Sequence, residues 1–161
     1  MARCLIIGCG CRGRMLARSL LDRGHVVRGT TRDPGRVLEI EEAGAEAVVA
    51  DPDVVATLVA AFDHVTVVCI LLGSATGSAE QLAALHGTRL EMLLTKLVDT
   101  TARGLVYEGR GTVEPGVLQG GVEQVRRFGG RSVAEVAVLE ADPADHRSWL
   151  EAALEAVGRS L

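Results

Sequence analysis

Six short stretches of the chain are almost continuously apolar and rich in β-branched residues: 4–8, 25–29, 47–50, 64–71, 104–108 and 134–139. Such runs predict strands of a parallel sheet covered on both faces, where neither side of a strand meets water. Between them the apolar positions recur every three or four residues. That spacing predicts helices over 13–23, 34–43, 52–62, 78–102, 115–127 and 143–160. Gly24 and Gly44 follow the first two helices, as C-terminal caps do. Asp33-Pro34, Asp51-Pro52 and Asp142-Pro143 each put an acid and a proline where an N-cap and first turn belong. Six strands alternating with six helices predict an α/β architecture, a doubly wound parallel sheet. Right-handed crossovers make the expected strand order 3-2-1-4-5-6. Residues 1–161 read as one domain, with no linker, low-complexity tract or separate substrate domain.

The helix over 78–102 is unusually long. It carries Leu82, Leu85, Leu90, Leu93, Leu94, Leu97 and Val98 in an apolar stripe, with Met92 beside it. Either one face packs on the sheet, or the extra apolar width also covers the same helix of a second copy in a homodimer.

Composition narrows the classes. The chain is 48% hydrophobic, which is enough to build a core. Aromatics are 2%, too few for a platform that stacks single-stranded nucleic acid. The first 36 residues hold eight arginines against Asp22 and Asp33, a net of +6, while the remainder carries −10. An acidic body argues against nucleic acid as a partner, and the basic end suits a small anion. No apolar run reaches the length of a membrane span. The four cysteines, Cys4, Cys9, Cys11 and Cys69, form no CxxC pair and no zinc spacing with histidine, so no metal is expected. A cytoplasmic protein with reduced thiols is the expectation.

Gly8, Gly10 and Gly13 match G-x-G-x-x-G, directly after the first strand and at the mouth of the first helix. In that context the glycines have distinct tasks. Gly8 permits a tight turn, Gly10 removes a side chain where backbone meets a pyrophosphate, and Gly13 lets helix and strand approach. Free N–H groups at the helix start then face the phosphates. Cys9, Cys11 and Arg12 fill the loop, and Arg12 is a possible phosphate partner.

The end of the second strand should read the ribose. An NAD site usually has Asp or Glu there. Here the stretch is Arg28-Gly29-Thr30-Thr31-Arg32, with no acid before Asp33. Arg32 is suited to a 2′-phosphate, with Thr30 and Thr31 as hydroxyl donors, which favours NADP over NAD. The alternative is a solvated loop arginine. Asp51 either meets the adenine edge or caps the next helix. Ile70, Leu71 and Leu72, at the end of the fourth strand, should line the nicotinamide side.

The segment "LIIGCGCRGRMLARSLLDRGHVVRGTTRDP", and more loosely "EAVVADP" and "GLVYEG", resembles the NAD(P)-binding Rossmann proteins of the extended and atypical short-chain dehydrogenase/reductase group. The likeness spans Arg3 to about Glu108 and is specific over the first 35 residues. It implies a Rossmann fold, a nicotinamide cofactor (usually NADP for such a strand end) and frequent dimers through the two helices after strand four. That group's Tyr-x-x-x-Lys motif is absent. The chain has one tyrosine, Tyr107, inside the fifth strand, and one lysine, Lys96, so the group's catalytic residues do not carry over.

Other candidates remain open. Cys9 and Cys11 either fit the variable loop positions as small side chains or make the loop redox-sensitive through a lowered thiol pKa. His25 and His64 begin strands, away from the site. His86, on the long helix, either approaches the site or packs. Glu108, at the end of strand five, is a general acid or base if desolvated. Three functions fit: an NADP-binding oxidoreductase transferring hydride, a non-catalytic dinucleotide sensor using the same site, or a flavin- or other nucleotide-binding protein on the same fold.

Overall fold

A computed structural model describes residues 1–161. Its sheet has six parallel strands: β1 (Arg3–Ile7), β2 (Val26–Thr31), β3 (Glu46–Val49), β4 (Val67–Ile70), β5 (Gly104–Glu108) and β6 (Glu135–Leu139). Their order is β3-β2-β1-β4-β5-β6, the expected doubly wound arrangement. The helices are α1 (Cys11–Asp22), α2 (Val37–Glu42), α3 (Ala79–Ala84), α4 (Leu90–Leu97), α5 (Pro115–Arg131) and α6 (His146–Gly158).

The strand alternation builds two cores. Cys4, Ile6, Cys69 and Val106 point to one face, where Leu16 and Leu20 of α1, Ile40 of α2 and Trp149 of α6 cover them. Leu5, Ile7, Val68, Ile70, Leu105 and Tyr107 point to the other, beneath Leu93 and Leu97 of α4 and Val125 of α5. Each strand of the centre is thus apolar on both sides, which is why its sequence shows no alternation.

Several boundaries differ from the expectation. The second strand starts at Val26 rather than His25 and runs on to Thr31, because Thr30 and Thr31 pair with Val48 and Val49 of β3. The fourth strand excludes His64, which sits in the left-handed region at φ 59° in a turn before the ladder. The expected helix over 52–62 is a 3-10 segment, Val55–Phe62. Asp51 does not cap it; its carboxylate accepts the Asp53 N–H at 2.9 Å. The valines of that segment are β-branched and disfavour a regular helix. Asp142 likewise closes a local turn onto the Ala144 amide, and Asp145 caps α6 by accepting from the Ser148 amide. Gly24 and Gly44 follow α1 and α2 at φ 87° and 95°, and Asp33 caps a 3-10 turn, Pro34–Arg36, as expected.

The long helix is not one helix. Between α3 and α4 lies a π-helical turn, Leu85–Arg89, and α4 stops at Leu97 instead of running to Ala102. Two carbonyls of the π turn, those of His86 and Gly87, accept from the Gln124 side-chain amide of α5 at 3.2 and 2.9 Å. Beyond α4, the Thr100 hydroxyl donates to the Leu97 carbonyl and the Thr101 hydroxyl to that of Val65, competing with helical bonding. No helix is long and apolar enough to cross a membrane.

Two adjacent glycines of α5 separate packing from propensity. A Cβ on Gly121 would overlap the Tyr107 hydroxyl, whereas one on Gly120 would meet nothing. Gly121→Ala is expected to destabilise the protein by about 1–3 kcal/mol. Gly120→Ala is expected to stabilise it by roughly 0.5–1 kcal/mol. Paired thermal melts check both signs.

Candidate functional site

The ends of β1, β2 and β4 enclose a cavity of about 450 Å³. One wall is the glycine loop. Gly8 turns at φ 83°, where a Cβ would lie 2.7 Å from the Leu71 carbonyl oxygen, so only glycine fits. Its N–H donates to the Thr30 hydroxyl at 3.2 Å, and the Cys9 N–H donates to the Thr30 carbonyl at 3.0 Å. Gly13 brings α1 against β1, its would-be Cβ 3.3 Å from Ile6 Cγ2. Gly10 is the N-cap of α1 and gives the first turn no side-chain acceptor. A Cβ there would meet open space. An uncapped helix start beside an open cavity is what a dinucleotide pyrophosphate needs, so the residues present fit the group.

The expected site residues divide. Gly8, Cys9, Gly10, Cys11, Arg12, Gly13, Thr30, Thr31, Arg32, Leu71 and Leu72 all line the cavity. Asp51 and Ile70 do not. The wall at Asp51 is formed by its neighbours Ala50 and Pro52, and strand alternation turns Ile70 into the core beneath α4. The Thr30 hydroxyl oxygen accepts from the glycine loop, which leaves its own proton to donate. The Thr31 hydroxyl accepts the Asp33 N–H at 3.1 Å. Arg32 stands half-exposed, 3.9 Å from the Asp53 carboxylate.

The cysteine loop is not an activated thiol pair. Cys9 is buried against Gly29, and burial pushes its pKa up to about 11, with Arg14 opposing only weakly. Cys11 is exposed. The two side chains therefore point to different environments, and no group of three His, Cys, Asp or Glu side chains is placed to hold a metal.

Sequence reasoning missed Arg36, Ser74, Thr76, Leu85 and Trp149, all of which line the cavity. Arg36 had a legible signal, since it lies only four residues beyond Arg32 in the same connection after β2. Trp149 had none, because its partner Glu108 lies 41 residues away. Glu108 is 1% exposed. It accepts from the Gly73 amide and from Trp149 Nε1, each at 2.9 Å, and faces Arg12 Nη2 at 3.6 Å. Burial raises its pKa, while Arg12, Trp149 and Gly73 oppose the rise. As a carboxylate held by donors on all sides, it is an anchor rather than the free acid or base the sequence allowed.

His86 packs beneath the site and does not line the cavity. It is buried, and its Nε2 lies 2.9 Å from the Leu72 carbonyl, which can only accept. Nε2 therefore carries the proton, and Nδ1 accepts from the Tyr107 hydroxyl. Tyr107 is fully buried, and burial raises its pKa, so it is not a titrating acid at the cavity.

A sequence model described as NAD(P)H-binding matches residues 8–106, more than half of the chain, and the chain belongs to that family. No curated protein matches it. Among solved structures, a short-chain dehydrogenase/reductase superfamily protein from Agrobacterium tumefaciens with bound NAD aligns with a TM-score of 0.72 at 19% identity, covering 86% of this chain and 48% of that one. UDP-glucose 4-epimerase from Thermotoga maritima aligns at 0.72 and 12% identity, covering 86% and 54%. A putative NAD-dependent epimerase/dehydratase from Bacillus halodurans aligns at 0.69 and 20%, covering 86% and 69%. These likenesses show a shared Rossmann fold. The chain spans about half the length of the first two, 48% and 54%.

Burial lowers the His86 pKa below its ordinary 6.5, so the folded protein resists a proton that the unfolded chain accepts. Its contribution to stability is complete above pH 6.5 and is lost as the pH falls through the depressed folded value. Thermal melts from about pH 5 to 7.5 should show this acid-side loss, and His86→Gln should flatten it.

Proposed function

We propose that this member of the NAD(P)H-binding family is an NADP(H)-binding Rossmann protein with an oxidoreductase-like site, built within a single domain spanning residues 1–161. The observation that carries the NADP preference is the pair Arg32 and Arg36 on the cavity wall just after β2, two guanidinium groups beside the single carboxylate of Asp33. Asp33, the acid in that stretch, accepts the Gly35 N–H at 2.8 Å. Arg36 sits 4.0 Å from Asp33 and 3.5 Å from Glu39, in loose surface pairs that water screens. A 2′-phosphate would gain two guanidinium partners there, whereas the 2′-hydroxyl of NAD would have only Asp33, already bonded to Gly35 through Oδ1, as a carboxylate acceptor.

In this reading the glycine loop and the start of α1 take the pyrophosphate, with Cys9, Cys11 and Arg12 around it. Thr31 borders the adenosine end, and Leu71, Leu72 and Leu85 supply an apolar wall at the nicotinamide end. A bound nicotinamide supplies the hydride, and the residues of this chain orient it and keep water from it. The second reading, a non-catalytic dinucleotide sensor, is favoured by one observation. Glu108, His86 and Tyr107, the buried titratable groups nearest that end, are all engaged within the protein. Met92 and Val98 stand exposed along the helix after β4, beside a groove against α5 lined by Gly87, Gly116 and Gly120. That surface supports a homodimer through residues 78–102. Four unpaired cysteines support a reducing, cytoplasmic setting.

Calorimetric titration tests the cofactor. Wild type should bind NADPH more tightly than NADH. Arg32→Ala and Arg36→Ala should each weaken NADPH by about tenfold and leave NADH unchanged. Equal wild-type affinities would reject the phosphate role. Gly10→Ala, whose added Cβ meets no protein atom, should melt close to wild type yet bind both nucleotides more weakly. Turnover of NADPH with a carbonyl and quinone panel would then separate hydride transfer from sensing.

A further inference from the structure

We propose that Glu108 is a positioning residue for the dinucleotide: with Trp149 it holds the Arg12 guanidinium at the start of α1 against the seat of the diphosphate. The proposal rests on the dinucleotide reading above and adds to it two residues, on β5 and α6, that lie outside the glycine motif.

Glu108 is fastened before Arg12 is considered. Oε1 accepts from the Gly73 amide of the loop after β4, and Oε2 accepts from Trp149 Nε1 of α6. Gly73 is itself fixed, since its carbonyl accepts the Val113 N–H at 3.0 Å and a Cβ on it would strike the Arg110 carbonyl at 2.7 Å. The carboxylate thus has one place to be. Arg12 is the outer partner. Its side chain keeps 24% of its exposure, against 1% for Glu108, and it lines the cavity.

Two contacts order that arginine. Its Nη2 faces Glu108 Oε2 at 3.6 Å, and its guanidinium carbon lies 5.7 Å from the centre of the Trp149 ring. The ion pair is longer than a strong charge-assisted hydrogen bond, about 2.7–2.9 Å. Most of the guanidinium N–H groups therefore remain uncommitted, and Nε is buried with no partner. A free arginine loses considerable rotamer entropy on gripping an anion. One already stacked and paired loses less, so the same contact gives tighter binding. The arginine in turn balances the carboxylate of Glu108, a buried charge that would be costly unpaired.

The test compares two ligands. NADPH presents the diphosphate to Arg12, whereas adenosine 2′-monophosphate reaches only the Arg32 and Arg36 end. Glu108→Gln should weaken NADPH by about tenfold and leave adenosine 2′-monophosphate unchanged. Arg12→Ala should do the same. The double variant should be no weaker than Arg12→Ala alone, because Glu108 acts through Arg12. If Glu108→Gln fails to fold, Trp149→Phe removes the Nε1 donor and keeps most of the ring, and the same selective loss is expected. Equal loss of both ligands would mark Glu108 as merely structural and overturn the proposal. So would unchanged NADPH binding, or additive losses in the double variant. A wild type that binds neither NADPH nor NADH would instead overturn the dinucleotide reading, and one that binds both equally would overturn the 2′-phosphate reading alone.

Discussion

Where β1 ends, the chain has to leave the sheet between two neighbouring strands with no room for a side chain. Gly8 turns there at φ 83°, its α-carbon so close to the β4 exit that a Cβ would strike the Leu71 carbonyl. The turn is then stitched sideways to β2 through both Gly8 and Cys9, whose amides end on Thr30. The start of α1, the position of Gly10 and the opening of the cavity all follow from that one close approach. Gly29 belongs to the same constraint, since a Cβ on it would fall 2.8 Å from Cys9 Sγ. The Cys9 thiol fills the space that two glycines leave, which is why it is a packed side chain and not a reactive one.

Around this turn the cavity is polarised along its length. One end is bordered by Arg32 and Arg36, exposed and loosely paired. The opposite end is apolar at Leu71, Leu72 and Leu85 and closes on a buried carboxylate. Beneath it, the Leu72 carbonyl, His86 and Tyr107 form a hydrogen-bonded chain from the cavity floor into the second core. The π turn that carries His86 is held open by Gln124. The turn places an imidazole whose Nδ1 satisfies the buried Tyr107 hydroxyl.

The strand order, the two-sided burial of the central strands and the glycine loop were legible in the sequence. Each depends on local pattern: apolar runs, 3.6-residue spacing, and a motif within one strand-turn-helix unit. Thr30 shows the limit. Its type and place suggested a ligand donor, but its oxygen also accepts the amide of Gly8, a residue 22 positions away, a structural task its sequence does not show. Ile70 shows another. A shift of one residue at the end of β4 decides which side of the sheet a side chain meets. The helix over 78–102 had the right stripe, yet Gly87 and the threonines after Leu97 let tertiary contacts break it into three pieces and end it early.

The sequence by itself determined the architecture and the kind of molecule the crevice holds, because both follow from short-range backbone requirements that particular residues meet alone. Only the tertiary structure decided which polar side chains remain free to act. Glu108, Trp149 and Arg12 lie on three elements spread across the chain, and their meeting depends on how α1 and α6 pack on the sheet. A hydrogen-bond donor spent on the protein and one left for a ligand look identical in a sequence. The difference is a matter of distances of about 3 Å between residues far apart in the chain, and those exist only once the chain has folded.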